Sequence, residues 1–400
     1  MQLCFFSDDF SDHFLPLTLT RPVRDLRIGI LTIEEKWELA LNQKKSASLD
    51  EDYFEDIFGS NKLSTESACI WVNERYFPTT GLISEIQSLN TSECIVDGDT
   101  LVAAKVDAKQ SLDWIENGRI SLSSLVPNET SSELSSITFL WDLLSANTHQ
   151  IEEDIQRLDL LSTTSSQFEK LLSYSNSSQI YISDSAKIEP GCIILADDGP
   201  VFIGDGVTLE AGSIIKGPVA VCDNATVKMQ ARIYGGTTIG PICKIAGEVH
   251  NSIFHSYSNK AHNGYVGNSI FGQWCNLGAD TNTSNLKNNY SKVSISNWRT
   301  KQLYDDGVQF LGTIMGDHSK TAINTQLNTG TVIGVCSNIF HSGFPPKYIP
   351  SFSWSGKDEF QVYQFEKALE AMSAMMKRRG IDLTSEYQEM MLKVFNEREL

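Results

Sequence analysis

Ile203-Gly204-Asp205-Gly206-Val207-Thr208-Leu209-Glu210-Ala211-Gly212-Ser213-Ile214-Ile215 returns an aliphatic residue at every sixth position, and the period runs on through Val221, Val227, Ile233, Ile239 and Ile245. The same spacing appears upstream at Ile182, Ile188 and Ile194, and downstream at Met315, Thr321, Leu327, Ile333 and Ile339. Neither a helix (3.6) nor an ordinary strand (2.0) makes six the natural repeat. A hexapeptide period is the signature of a parallel β-helix, in which each hexad is a short strand plus a corner and three hexads close one triangular coil. The aliphatic residue points inward and stacks on its equivalents in neighbouring coils. Small and polar residues such as Gly204-Asp205-Gly206 permit the corners. The period breaks by three residues after Ile194, where 196–200 should bulge outward, and again after Ile245; a larger excursion covers 288–309. Inserts in solenoids gather on one face, often the functional one.

Outward from the repeat, residues 1–165 read as an α/β domain with an open, Rossmann-like sheet. Cys69-Ile70-Trp71-Val72 and Cys94-Ile95-Val96 suit buried strands. Residues 32–41 suit a helix, with Thr32 as N-cap and Glu35 completing a capping box. The polar, acidic stretch 46–56 reads as a loop, and 141–161 as a helix. The Ser-rich stretch 162–178 reads as a connection, with the linker proper at 166–179 and the repeat domain at 180–345. After Pro345-Pro346 a helical extension, 346–400, is expected, with helices over 360–379 (stopped by Gly380) and 383–395. Trp354 and the methionines Met372, Met375, Met376, Met390 and Met391 read as packing residues.

The 400 residues carry a net charge of −18, and the imbalance sits in 1–179, with 13 Lys+Arg against 29 Asp+Glu. Such an acidic surface excludes nucleic acid as a partner. No window approaches the ~20 apolar residues of a membrane span, so no membrane partner is expected. The start has neither the basic flank nor the apolar run of a signal peptide. None of the eight cysteines forms a Cys-x-x-Cys pair. Reduced thiols in a cytoplasmic protein follow, and no zinc cage. His250 and His255 match the x₄ pair of the γ-class carbonic anhydrases, but no histidine lies between His149 and His250 to supply an upstream ligand.

The segment His262-Asn263-Gly264-Tyr265-Val266-Gly267, then Asn276-Leu277-Gly278-Ala279, then Asn285 is similar to the acetyltransferase half of the bifunctional N-acetylglucosamine-1-phosphate uridyltransferase/glucosamine-1-phosphate N-acetyltransferases. Three further stretches resemble a variant GlmU-related subfamily of this hexapeptide-repeat acyltransferase superfamily. They are Leu15-Pro16-Leu17-Thr18-Leu19-Thr20-Arg21-Pro22-Val23-Arg24, Val96-Asp97-Gly98-Asp99, and Gly316-Asp317-His318-Ser319-Lys320-Thr321. The resemblance implies a left-handed parallel β-helix, a homotrimer, and acyl-transfer sites between subunits.

An amino-sugar nitrogen attacks a thioester only as the neutral amine, so a base titrating near neutrality is required. By resemblance His262 is that base, and Asn285 orients it or the amine. Tyr265, Asn276 and Arg232 hold the sugar phosphate. Acetyl-CoA is the donor, with an oxyanion donor sought in the Gly278-Ala279 corner and Lys320 on the coenzyme A phosphates. The alternatives are an asparagine ladder for Asn276 and a solvated lysine for Lys320. Tyr234 and His250 stand where the family carries further basic residues, which leaves the acceptor open.

Sugar nucleotidyltransferases open with a glycine-rich loop, yet no glycine precedes Gly29 here. Arg21 and Arg24 are candidate phosphate ligands, or structural ion pairs. By resemblance Asp99 holds Mg²⁺; the alternative is a plain Asp-Gly turn. Asn73 and Arg75 are further candidates.

The functional expectation is therefore a sugar-nucleotide biosynthesis enzyme. Its β-helix acetylates an amino-sugar 1-phosphate, and its N-terminal domain couples a sugar 1-phosphate to a nucleotide, giving UDP-N-acetylglucosamine. The alternatives are an acyltransferase with an inactive N-terminal domain and a non-catalytic trimeric sugar-nucleotide-binding scaffold.

Overall fold

The computed structural model describes residues 1–49, 52–59, 63–160, 168, 171–304, 307–340, 342–355 and 359–398. The chain divides into two compact units. One comprises Met1–Phe14, Arg21–Leu26 and Leu31–Phe139, the other Leu15–Thr20, Arg27–Ile30 and Leu140–Leu400.

The first unit is built on a mixed six-stranded sheet. Its strands are β1 (Gln2–Phe6), β2 (Lys45–Leu49), β3 (Cys69–Asn73), β4 (Glu93–Asp97), β5 (Thr100–Val106) and β6 (Val126–Glu129), in the order β2-β1-β3-β5-β4-β6. β1 lies parallel to β2 and β3, while β5 runs antiparallel to β3 and β4. β1 and β3 are buried on both faces, which is why they read as unbroken apolar runs rather than alternating ones. Helix α1 (Ile33–Leu41) starts at the expected capping box: Thr32 accepts from the Glu35 amide, and Glu35 accepts from the Thr32 amide. Stretch 46–56 departs from expectation. Ala47, Ser48 and Leu49 extend along β1, and Asp52–Phe58 forms helix α2. A polar edge strand does not show the hydrophobic alternation that sequence reading relies on, because one edge and much of one face are solvated. Helices α3 (Thr80–Ser88) and α4 (Ala108–Asn117) follow; Trp114 of α4 meets Trp71 edge-on at 5.8 Å, and Ser111 accepts the Trp71 indole proton.

The second unit is a three-faced parallel β-solenoid. One face stacks nine strands from Ile180–Ile182 to Tyr348–Ile349, and a second runs from Lys187–Ile188 to Ser353–Ser355. The third carries six strands from Leu172–Ser175 to Tyr265–Gly267 and continues through Asn282–Thr283 and Gln326–Leu327. Strand register sets aliphatic residues in columns: Ile182, Ile203, Val221 and Ile239 stack on one face, and Ile188, Leu209, Val227 and Ile245 on the next. All are buried. Each contributes roughly 1.5–3 kcal/mol by leaving water. The corners repeat a left-handed backbone residue: Gly206 (φ +63) and Gly212 (φ +70) are followed one coil later by Asn224 (φ 57) and Gln230 (φ 59). After Ile245 the coil shortens. Val221 pairs with Ile239, eighteen residues on, but Ile239 pairs with Phe254, only fifteen on. The column survives although the period of six does not.

Helix α5 (Leu140–Arg157), shorter than the expected 141–161, belongs to the solenoid unit. Asn147 donates to the Gly236 carbonyl and accepts from the Thr238 hydroxyl. Most of the expected Ser-rich connection (162–178) lies outside the described residues before 171. At the other end Phe360–Val362 forms a strand antiparallel to Ser353–Ser355, so helix α6 begins only at Phe365 (Phe365–Lys377). Helix α7 (Ser385–Asn396) packs on it, with Met372, Met376, Met390 and Met391 buried. Among the described residues no helix is long and apolar enough to cross a membrane.

Candidate functional site

The third face of the solenoid gathers most of the chemistry. Strand pairing places Arg232, Glu248 and Tyr265 directly above one another, one per coil. Alternate strand residues share a face. These three point outward, because Ile233, Val249 and Val266 between them are buried in the core. Arg232 meets Glu248 at 3.2 Å. Beside this row Tyr234 and His250 stand with ring centroids 6.0 Å apart. Burial lowers the His250 imidazole, against the opposing pull of Glu248.

Tyr265 is tied to the later asparagine. Asn285 Nδ2 donates to the Tyr265 hydroxyl at 3.1 Å and to Asn268 Oδ1 at 2.7 Å. Burial raises the Tyr265 phenol, while the Asn285 contact works the other way. Gly267 makes this network possible: a Cβ there would collide with the Tyr265 hydroxyl and lie 2.7 Å from Asn285 Nδ2. Gly267→Ala should therefore displace Tyr265 or Asn285 and destabilise the solenoid by about 1–3 kcal/mol, the usual cost of overpacking. Denaturant unfolding checks it; unchanged stability would mean that the network yields without cost.

His262 occupies the corner between the strand Asn259–Lys260 on the second face and Tyr265–Gly267 on the third, with its imidazole exposed. The corner is rigid from within: Lys260 Nζ donates to the His262 carbonyl at 2.8 Å and to that of Asn263 at 3.0 Å. Asn276 lies elsewhere. It stacks between Asn259 and Lys320 on the second face, outside the Tyr265–Asn285 network. Lys320 is no solvated lysine. It is half-buried and donates to the His318 carbonyl at 2.8 Å, and burial lowers its ammonium. The Gly278 amide is taken by Thr321, so of the expected oxyanion corner only the Ala279 amide has no acceptor among the described residues. The third-face patch runs into a cavity of about 420 Å³ lined by Ser145 and Thr148 of α5 with Lys216, Tyr234, His250 and Asn251. His255 is buried with Nδ1 3.1 Å from Ser256 Oγ.

In the sheet unit the arginines adopt the ion-pair alternative. Arg24 is 0% exposed and lies 2.8 Å from Glu34 and 2.6 Å from Glu74; Arg21 is buried against Asp25 at 2.7 Å. Arginines held this way have their charge already engaged by carboxylates. After β1, Asp8 takes bonds from Arg75 (2.6 Å) and Asn73 (2.8 Å). Burial opposes its ionisation, but these donors prevail and hold the Asp8 carboxyl below its usual value. Asp97-Gly98-Asp99 is the turn of the β4–β5 hairpin, with Gly98 in the left-handed region and Asp99 exposed. Among the described residues no three His, Cys, Asp or Glu side chains gather to hold a metal. Asp97 and Asp99, both exposed, are carboxylates that this turn offers, and Mg²⁺ takes few protein ligands, completing its shell with phosphates and water.

Two of the site's residues escape sequence reading. Glu248 follows the broken period and shows itself only through its register with Arg232 and Tyr265. Lys260 breaks the aliphatic pattern at an inward position.

Residues 3–162 match the family described as sugar nucleotidyl transferase. The chain is 31% identical over 155 residues to the bifunctional protein GlmU of Synechococcus elongatus, covering 38% of this chain and 29% of that protein. It is 34% identical over 118 residues to the bifunctional protein GlmU of Methanocaldococcus jannaschii, covering 30% and 26%. The chain thus spans under a third of the length of these two relatives. A mutant perosamine N-acetyltransferase of Caulobacter crescentus, solved with CoA and GDP-perosamine, aligns over 90% of this chain and 96% of its own. Its identity is 9% and its TM-score 0.14, too low to bear on fold or function.

Proposed function

From a chain that is a distant relative of the bifunctional GlmU proteins, we propose a transferase of sugar-nucleotide biosynthesis whose solenoid acetylates an amino-sugar 1-phosphate from acetyl-CoA. The observation that carries this reading is the rung-by-rung alignment of Arg232, Glu248 and Tyr265 beside Asn285, with His262 at the adjoining corner. Arg232 supplies a cation for phosphate, Glu248 an acceptor for the ammonium or a hydroxyl, and Tyr265 with Asn285 hydroxyl contacts. His262 takes a proton from the amine as nitrogen attacks the thioester carbon. An N–C bond forms, the C–S bond breaks, and coenzyme A leaves as the thiolate that gains the proton. The Ala279 amide is the candidate donor to the developing oxyanion. Asn276 and Lys320, adjacent on the second face, are assigned to the coenzyme side. A homotrimer completes the site at a seam between copies, the solenoid is left-handed, and the protein works in the cytoplasm. The acceptor to test first is glucosamine 1-phosphate, with other amino-sugar phosphates beside it because Tyr234 and His250 leave a single arginine, Arg232, in this row.

The N-terminal unit is assigned nucleotidyl transfer from an NTP to the acetylated sugar 1-phosphate, giving UDP-N-acetylglucosamine. Asp99 would hold Mg²⁺, which neutralises phosphate charge when bound. Two assays separate the halves: thiol release from acetyl-CoA with glucosamine 1-phosphate, and pyrophosphate release from UTP or dTTP with N-acetylglucosamine 1-phosphate and Mg²⁺. Asp99→Ala should lower pyrophosphate release by about 10²-fold or more, the scale of losing an electrostatic contact to the transferring phosphate. Thiol release should stay intact. Equal pyrophosphate release by mutant and parent would reject the assignment of Asp99. No pyrophosphate from the parent with any nucleotide would leave the solenoid as the sole catalytic half.

A further inference from the structure

We propose that Lys260 is a positioning residue for acyl transfer: held inside the solenoid, its ammonium fixes from beneath the corner that presents His262. The proposal rests on the acyl-transfer reading above and adds a residue to it.

The column to which Lys260 belongs makes the case. Strand register stacks Ile188, Leu209, Val227, Ile245 and Lys260 at one inward position, and one coil on it stacks Leu277, Thr321 and Ile339. Asn259 pairs with Asn276, so Lys260 and Leu277 are consecutive members. A lysine therefore stands where every neighbouring coil places an aliphatic or a threonine, and it is 0% exposed. Burying an ammonium costs several kcal/mol unless hydrogen bonds compensate. A core that needed only volume would take leucine here, as it does one coil later.

What the lysine gains is specific. Its Nζ bonds the carbonyls of His262 and Asn263, two consecutive residues of the corner. The Asn263 carbonyl also accepts from the Asp280 amide of the next coil, and the Gly264 carbonyl from the Glu248 amide of the coil before. Gly247 leaves room for the ammonium, since a Cβ there would sit 3.0 Å from Nζ. The corner is thus tied to both neighbouring coils and, through Lys260, to the core. The acid that acts on Lys260 is Asp280, whose charge opposes the effect of burial. Burial lowers the ammonium to about 8, so near neutrality it still carries its donors. This corner bears an imidazole at the edge of the Arg232–Glu248–Tyr265 row, and beneath it the column buries an ammonium.

Lys260→Met keeps the stem and removes charge and donors. Replacing a buried ion by an apolar residue of similar volume is commonly neutral for folding, so the variant should assemble like the parent and melt within about 5 °C of it. Amide exchange across 261–266 and at Asp280 should quicken by about tenfold or more as the corner loosens. In thiol release kcat should fall by about 10- to 100-fold, the cost of small misplacement of a catalytic group, with KM for acetyl-CoA unchanged. In a His262→Ala background the same substitution should change the residual rate by less than about twofold, because Lys260 acts through His262. Unchanged exchange would overturn the proposal, and so would quickened exchange with normal kcat. If Lys260→Met does not assemble, Lys260→Gln, which keeps a donor amide, is the second variant. Failure of both to assemble would also overturn it, making Lys260 a requirement of the fold itself. If the parent releases no thiol with any amino sugar, the acyl-transfer reading fails, while exchange still reports whether the lysine fixes the corner.

Discussion

His262→Ala should lower amine-dependent thiol release by about 10²–10⁴-fold, the range a positioned general base supplies. The solenoid should fold and assemble as before, since the imidazole is exposed and contributes nothing to the stacked core. The loss should appear in kcat, because the residues assigned to hold the acceptor, Arg232, Glu248, Tyr265 and Asn285, remain in place. Raising the pH should recover part of the rate, as more of the amine arrives already neutral. A mutant with parental thiol release at neutral pH would show that another group takes the proton. His250, in the neighbouring coil and already biased towards its neutral form by burial, would then be the next candidate.

Arg24→Ala should destabilise the sheet unit by about 3–5 kcal/mol, the cost of leaving a buried charge without its partner. Arg24 is wholly buried, its guanidinium is shared by Glu34 and Glu74, and Glu74 is 1% exposed. Removing the arginine takes from the Glu74 carboxylate its 2.6 Å cationic partner, while Ser7 and the residue-24 amide still donate to it. A double substitution, Arg24→Met with Glu74→Leu, should recover most of the loss, because apolar pairs of similar volume often replace buried ion pairs at little cost. Denaturant unfolding followed by the fluorescence of Trp71 and Trp114, both in this unit, reads the effect. A change below about 1 kcal/mol, typical of an exposed pair, would mean that Arg24 is free enough to serve a phosphate after all.

The solenoid was legible because its columns are redundant. Each inward position is specified many times over, so the loss of a few hexads after Ile245 hides a coil without hiding the fold. The same break hid the site's detail. Once a coil spans fifteen residues instead of eighteen, counting in sixes from Ile245 reaches Asn251, a corner residue with φ 43, and misses Lys260, the true next member of the column. Glu248 escaped for the same reason. The local signals held where the chemistry is local: the Thr32–Glu35 capping box depends on a four-residue window and forms as read. They failed where long-range pairing decides, as in the polar strand Lys45–Leu49, which exists because β1 offers it an edge. Arg21 and Arg24 show a different limit. Sequence places both arginines near a phosphate-binding element but cannot reveal that Asp25 pairs with Arg21, or that Glu34 and Glu74 converge on Arg24.

If this solenoid delivers a neutral amine to a thioester, thiol release from acetyl-CoA must depend on the free amino group, which titration with glucosamine 1-phosphate and with its N-acetylated counterpart reads. Saturable release is expected with the free amine and none with the acetylated sugar, where no nucleophilic nitrogen remains. Release that is identical with both sugars, or absent across a panel of amino-sugar phosphates, would contradict it.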